Sequence, residues 1–436
     1  MASAYTLTIL FHALVVVFVA SECCLTVRQT HAAERFMPGL AHAFAHGARA
    51  RAAALVSESA QARLYLVFAQ VALALVMTQG GITAIAGFCG VLLGEGLVAQ
   101  WGTLALTLVL VAAVEFPVSV YLNARIEARH RAHPFFKRDW LLTRLKEMAA
   151  GWVLAWPLLA AALLLCELAG PFWWLAAWLV TLTALLWRRF FSPAWAVYLL
   201  RNLTPLPIEG FARRIEPFFR EAGLTLGRID VAARPTGWTH GQVLVTGFGR
   251  RRNVLVFATA AKRLQADELE ALIVHQIGHL RGRHAWLRFF VAALVSFIPF
   301  AFAGWGSAHA AFFDAFGLSR FITFDLGNAN AGWVAAVACV VFPIVFFPLR
   351  PLFNTVAFAQ QYAADLYAAR RTGAGPLIRA LAKLHRHPSS LLPPSRAYAL
   401  FHYDRPNAAQ RRERLRAWLV ATGADPERPS IPVRHF

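Results

Sequence analysis

Residues 264–284 read LQADELEALIVHQIGHLRGRH, an apolar run of helix length with histidines at 275, 279 and 284. A four-residue spacing sets His275 and His279 on one helical face, one turn apart, where two imidazoles can hold one metal ion. In an H-E-x-x-H frame, the glutamate between such histidines serves as general base. Here that position is Gln276. An amide takes no proton from a metal-bound water at neutral pH, so the stretch carries the metal-binding frame of a hydrolase with its base removed.

Working outward, the 436 residues are 58% hydrophobic and only 15% charged, the composition of a multi-span membrane protein. Apolar runs long enough to cross a bilayer, which takes roughly 20 residues, are expected at 5–27, 64–93, 102–122, 148–168, 171–187, 287–305 and 332–349. The second is overlong and interrupted by Gln79-Gly80-Gly81, so it is expected to kink or to lie partly buried in protein. The fifth is short, with Trp173, Trp174, Trp178 and Trp187 suited to the membrane interface. The net charge of +20 is distributed by topology: of 43 Lys and Arg, only Arg320 falls in a segment that seven crossings place outside. The positive-inside rule then puts 28–63, 123–147, 188–288 and 350–436 in the cytosol and the N-terminus outside. Basic segments beside membrane helices serve topology and anionic lipid, and no nucleic-acid-reading module accompanies them. Cys23, Cys24, Cys89, Cys166 and Cys339 show no paired spacing, which argues against a disulfide framework or a thiolate metal site. The first run lacks a basic start and a clear cleavage site, and reads as a retained helix.

Residues 188–286 form the largest soluble block. A helix is expected over 208–222, with Phe211, Ile215, Phe218 and Phe219 on one side. Strands are expected at 228–232, 241–246 and 253–257. The stretch HGQVLVTGFG (240–249) alternates well enough to be an edge strand, the kind of edge against which an extended peptide can pair. After the last crossing, PLFNTVAFAQQYAADLYAARR (351–371) reads as a helix, with Gln361 and Asp365 four apart on one face. Two Pro-rich breaks follow, and a basic helix near 407–421 ends the tail.

Together these pieces resemble the type I CAAX prenyl endopeptidases, seven-span membrane zinc metalloproteases that trim the tails of prenylated proteins. IVHQIGHLRGRH stands where that family has H-E-x-G-H with a further histidine five residues on. HGQVLVTGFG matches an edge-strand region that usually has Asn-Ala where this chain has Gln242 and Val243. FNTVAFAQQYAAD matches the region of the third zinc ligand, and FHYDRPNAAQRRERL a C-terminal element that usually reads Y-H-Y-S-H-P. Glu127, Phe136 and Lys137 fall where the family has an acidic-aromatic-basic loop.

The resemblance implies a mostly α integral membrane protein: seven transmembrane helices enclosing a chamber, with a cytosolic α+β zincin-like metalloprotease domain. Its divisions would be 1–187 for helices one to five, 188–286 for the edge strand and histidine helix, 287–349 for the last two crossings, and 350–436 for the third-ligand helix and tail. It also implies zinc as cofactor, with His275, His279 and Gln361 at ligand positions, and Asp365 and His284 supporting them. The catalytic candidates it implies are Gln276 at the general-base position, Arg405 in place of a histidine that helps the oxyanion, and Arg411, which is retained. His240, Gln242 and Val243 are the substrate-binding candidates. Two glutamates have become glutamine and one histidine arginine, so hydrolysis is expected to be impaired or absent. Alternatives are a non-catalytic binder of peptides or lipids and a protease disabled by deliberate substitution. A transporter-like or structural protein unrelated to proteolysis would have Glu115 as its clearest intramembrane acid. Membrane lipids and a peptide or membrane-protein substrate are the expected partners, in a bacterial inner membrane, with the metal-site domain cytosolic.

Overall fold

The computed structural model describes residues 2–39, 46–121, 138–187, 203–232, 243–247, 249–321, 330–384 and 392–427. The chain divides into two compact units, Met1–Leu182 with Ala293–Arg350, and Thr183–Ala292 with Pro351–Phe436. The basic loop containing Glu127, Phe136 and Lys137 lies outside the described residues, as do His240 and Gln242.

The first unit is built of apolar helices. Among the described residues five are long and apolar enough to cross a membrane: Ala4–Arg35, Arg51–Leu93, Leu97–Val118, Gly151–Leu168 and His284–Ser307, the last of which begins in the second unit. A bent pair, Ala331–Val345 with Phe347–Thr372, counts as a sixth, and the Trp-rich fifth run is a shorter helix, Gly170–Leu186. The expected break in the second run is real. Met77–Gly81 leaves α-helical geometry, and Gly80 sits at φ 131°, a conformation only glycine takes without strain. Among lipids every backbone N–H needs a partner from the protein itself. The helix at Ala331–Val345 meets that demand at its start, where Gln100 Oε1 accepts from the Gly332 N–H at 2.9 Å. Val153, Leu158, Leu168 and Leu294 are each more than two-thirds exposed, the pattern of side chains that face hydrocarbon rather than water.

The second unit holds a four-stranded sheet: β1 (Leu203–Pro205), β2 (Thr225–Ala232), β3 (Val243–Thr246) and β4 (Arg251–Phe257), in the order β1-β2-β4-β3. β2 and β4 run parallel, while β3 pairs antiparallel with β4 and, as expected, forms an edge. β1 carries no sequence signal, being three residues long and ending in proline. The helix Phe211–Glu221 buries Phe211, Ile215, Phe218 and Phe219, matching the expected face. Those side chains join Val243, Val254 and Val256 from the sheet and Leu269, Ile273 and Ile277 from the histidine helix in one core.

The histidine helix spans Ala266–Arg281 and starts on a capping box, with the Gln265 N–H donating to Glu268 at 2.9 Å. Glu268 is fully buried, and Lys383 on the helix Ala374–Leu384 lies 2.7 Å from its carboxylate. Asp267 and Glu268 also place negative charge on the helix N-terminus, where the dipole favours it. A second capping box, Asn407 with Gln410, begins the tail helix Ala408–Thr422.

Candidate functional site

The site assembles where the histidine helix meets the helix Arg350–Thr372. Gly278, one turn beyond His275, permits the close approach: a Cβ there would stand 3.2 Å from the Ala364 Cα and 3.1 Å from the Tyr367 ring. Gln361 and Asp365 then present themselves to His275 from one face of the opposing helix. Asp365 Oδ1 lies 2.9 Å from His275 Nδ1, and Gln361 Nε2 lies 3.2 Å from His275 Nε2. Both ring nitrogens are therefore engaged from the same helix, one turn apart.

Behind Asp365 stands Arg411. Its guanidinium donates twice to the carboxylate, Nε to Oδ2 at 2.8 Å and Nη2 to Oδ1 at 2.5 Å, a forked charge-assisted pair. All three groups are buried, His275 at 3%, Asp365 at 2% and Arg411 at 8% exposure. Arg411, expected among the catalytic groups, thus positions Asp365 and through it His275. Burial would raise the Asp365 carboxyl, but Arg411 and then His275 outweigh it and hold the group well below the usual carboxylate range. Burial also lowers His275, against the pull of Asp365. The pair is accordingly a neutral imidazole with its Nδ1 against an ionised carboxylate.

His279 lies next to His275 with ring centroids 4.8 Å apart, and its Nδ1 is 2.9 Å from Nδ1 of His284. Burial, then the neighbouring His275, His284 and Arg288, push His279 down to about 2. Both metal-position histidines are thus neutral, and both are held at Nδ1 by another side chain. That is the arrangement by which a protein fixes the tautomer of a metal-binding imidazole and turns Nε2 outward.

The donor set nevertheless stops short of a zinc peptidase site, which takes three protein ligands and keeps a fourth position open. Two imidazoles qualify. At the third position Gln361 brings a neutral amide and directs an N–H, not a lone pair, at His275 Nε2. Among the described residues no group of three or more His, Cys, Asp or Glu is arranged to hold a metal. The residues present do not fit a catalytic zinc.

Arg405 pairs with its neighbour Asp404 at 3.2 Å, both half exposed or more, and no contact places it at the histidine cluster. Val243 opens β3, which packs on the histidine helix, but its side chain is buried in the core opposite Val256. What β3 offers a peptide is its backbone edge. Sequence reasoning missed one pair: Arg288 Nε donates to Oε1 of the buried Gln360 at 2.5 Å, and its charge lowers His279. Its spacing, four residues after His284, was the available signal.

Comparison with known proteins gives the same architecture. The family described as "CAAX prenyl protease N-terminal, five membrane helices" matches residues 34–199, and "Peptidase family M48" matches residues 244–419, together most of the chain. A CAAX prenyl protease 1 homolog of Arabidopsis thaliana is 24% identical over 312 residues, covering 70% of this chain and 69% of that protein. CAAX prenyl protease 1 of Saccharomyces cerevisiae is 22% identical over 314 residues, 68% of each. The crystal structure of S. mikatae Ste24p superposes with a TM-score of 0.74 at 17% identity, covering 94% of this chain and 98% of that one. The fold and the matched families define a membrane metallopeptidase scaffold. The chain belongs to the type I CAAX protease family within the M48 peptidases.

Two outcomes follow for the buried chain of charges. Replacing Arg411 with Met leaves buried Asp365 short of its guanidinium partner, and costs about 3–5 kcal/mol of stability. Combining it with Asp365→Asn costs less than the two single changes summed, because each single change strands the other's partner. Thermal unfolding in detergent reads both. The pH dependence has one sign. His275 and His279 bind protons more readily unfolded than folded, so stability falls as pH drops below about 6.5; the Asp365 contribution, full above about pH 4, is lost on further acidification. Stability that rose on acidification from pH 7 to 5 would contradict the assignment.

Proposed function

We propose that this chain is a CAAX-protease-type membrane metallopeptidase scaffold in which hydrolysis is impaired, and that it binds membrane-associated peptides, prenyl-type C-termini among them, without turning them over. The observation that carries the reading is Gln276 on the histidine helix, between two imidazoles whose Nδ1 anchors remain in place. A general base contributes about 10²–10⁴ in rate, and an amide supplies none of it. Gln361 removes the third ligand charge as well, and Arg405 points its charge at Asp404.

The binding half of the function is supported by the edge strand. β3 lies against the histidine helix, and among the described residues one of its sides has no neighbouring strand, so an extended peptide can add to it through main-chain hydrogen bonds. Zinc is the cofactor of the family reading, with His275 and His279 at the ligand positions, but the donor set does not complete a catalytic site for it; this chain's own contribution is the orientation of the two rings through Asp365, Arg411 and His284. The distribution of Lys and Arg supports a cytosolic site. The proposed division of labour assigns 1–187 and 287–349 to the membrane, and 188–286 and 350–436 to peptide handling.

The preserved Nδ1 anchors favour a second reading, an active zinc endopeptidase, and one experiment separates the two. The purified protein is incubated with a fluorescent peptide bearing a prenylated C-terminus, following binding by anisotropy and cleavage by chromatography. Binding with no chelator-sensitive cleavage is expected from the unaltered chain, and chelator-sensitive cleavage by that chain would overturn the proposal.

A further inference from the structure

The strongest unassigned feature is the contact between Gln361 and His275. Asp365 is held ionised by a forked pair with Arg411, and a carboxylate only accepts, so the proton of His275 sits on Nδ1. Nε2 is then a lone pair, the one a metal would take. The group 3.2 Å away is the side-chain nitrogen of Gln361. Only a donor can face that lone pair favourably, and of the side chains at this position a glutamine can donate where an ionised glutamate cannot. The tautomer thus dictates which way the amide turns.

From this geometry we infer that Gln361 closes the metal site from within: its amide N–H occupies the coordinating lone pair of His275 in place of a metal ion, so that the resting protein is a metal-free, hydrogen-bonded form of the site. The inference rests on the non-hydrolytic reading above and adds a specific chemical device to it. Gln361 is not merely a poor ligand; it competes for the ligand that remains. Arg411, Asp365, His275 and Gln361 stand in contact in sequence, from a buried guanidinium to the helix face. A metal ion arriving at His275 and His279 must first break the last of those contacts, and the carboxylate in contact with His275, Asp365, is already paired with Arg411.

Three forms of the full-length protein decide the matter by zinc content after dialysis and by affinity measured against a competing chelator. The unaltered chain is expected to retain well below one zinc per chain, with a melting temperature indifferent to zinc and to chelator. Gln361→Glu restores a charged ligand and removes the donor, and is expected to hold one zinc with a raised melting temperature. Gln361→Ala is the discriminating variant, since it removes the competing N–H and adds no ligand. It should bind zinc roughly two- to tenfold more tightly than the unaltered chain, the worth of one hydrogen bond. If Gln361 were only a weak ligand that turns its oxygen to the metal, Gln361→Ala would bind more weakly, and that result overturns the inference. So does stoichiometric zinc in the unaltered chain. Stoichiometric zinc without peptide cleavage would remove the closure and leave the non-hydrolytic reading standing, whereas chelator-sensitive cleavage would remove both.

Discussion

A carboxylate buried at position 365 sets the terms for everything around it. Taking an ion of that size out of water costs several kcal/mol, and the cost is offset only when partners of good geometry surround it. Arg411 supplies a two-pronged partner from the tail helix and His275 supplies a third donor from the histidine helix. One side chain thereby ties together Ala266–Arg281, Arg350–Thr372 and Ala408–Thr422. None of these contacts needs a metal ion or a general base. The architecture of a peptidase can therefore outlive its chemistry.

The same reasoning makes these contacts independent of what stands at 276. By resemblance to the family, Gln276 and Gln361 would stand in for groups whose negative charge faces a dication. The surroundings of the histidines are neutral rings, the Gln361 amide, the cationic Arg288 and an Asp365 carboxylate already paired with Arg411. A dication is poorly served by such a field, while neutral imidazoles are stable in it. The depressed basicity of His279 and the hydrogen bond from Gln361 to His275 are two expressions of one environment.

Much of the fold was legible because hydropathy and period report burial directly. The apolar runs appear as helices close to their expected places, the break at Gln79-Gly80-Gly81 bends where glycine permits it, and Phe211, Ile215, Phe218 and Phe219 go inside together. β1 was invisible because three residues ending in proline carry no alternation. At the site, the i, i+4 spacings of His275 with His279 and Gln361 with Asp365 were readable from local geometry. What could not be read was which nitrogen of His275 meets which partner, since that contact joins residues 86 apart in the chain. Arg411 looked catalytic by position, and only the tertiary arrangement shows it acting on Asp365. Arg405 and the Arg288–Gln360 pair make the same point, because a charged side chain's partner depends on what folds beside it.

The most direct test of this account is the protonation pattern of His275 in the intact protein, read by nitrogen NMR on histidine-labelled material with a His275→Asn sample to assign the signal. A neutral ring is predicted, with its proton on Nδ1 in a strong hydrogen bond and an unprotonated Nε2 shifted by an accepted hydrogen bond but not by a metal. A proton on Nε2, or a coordination shift at that nitrogen in the protein as purified, would contradict it.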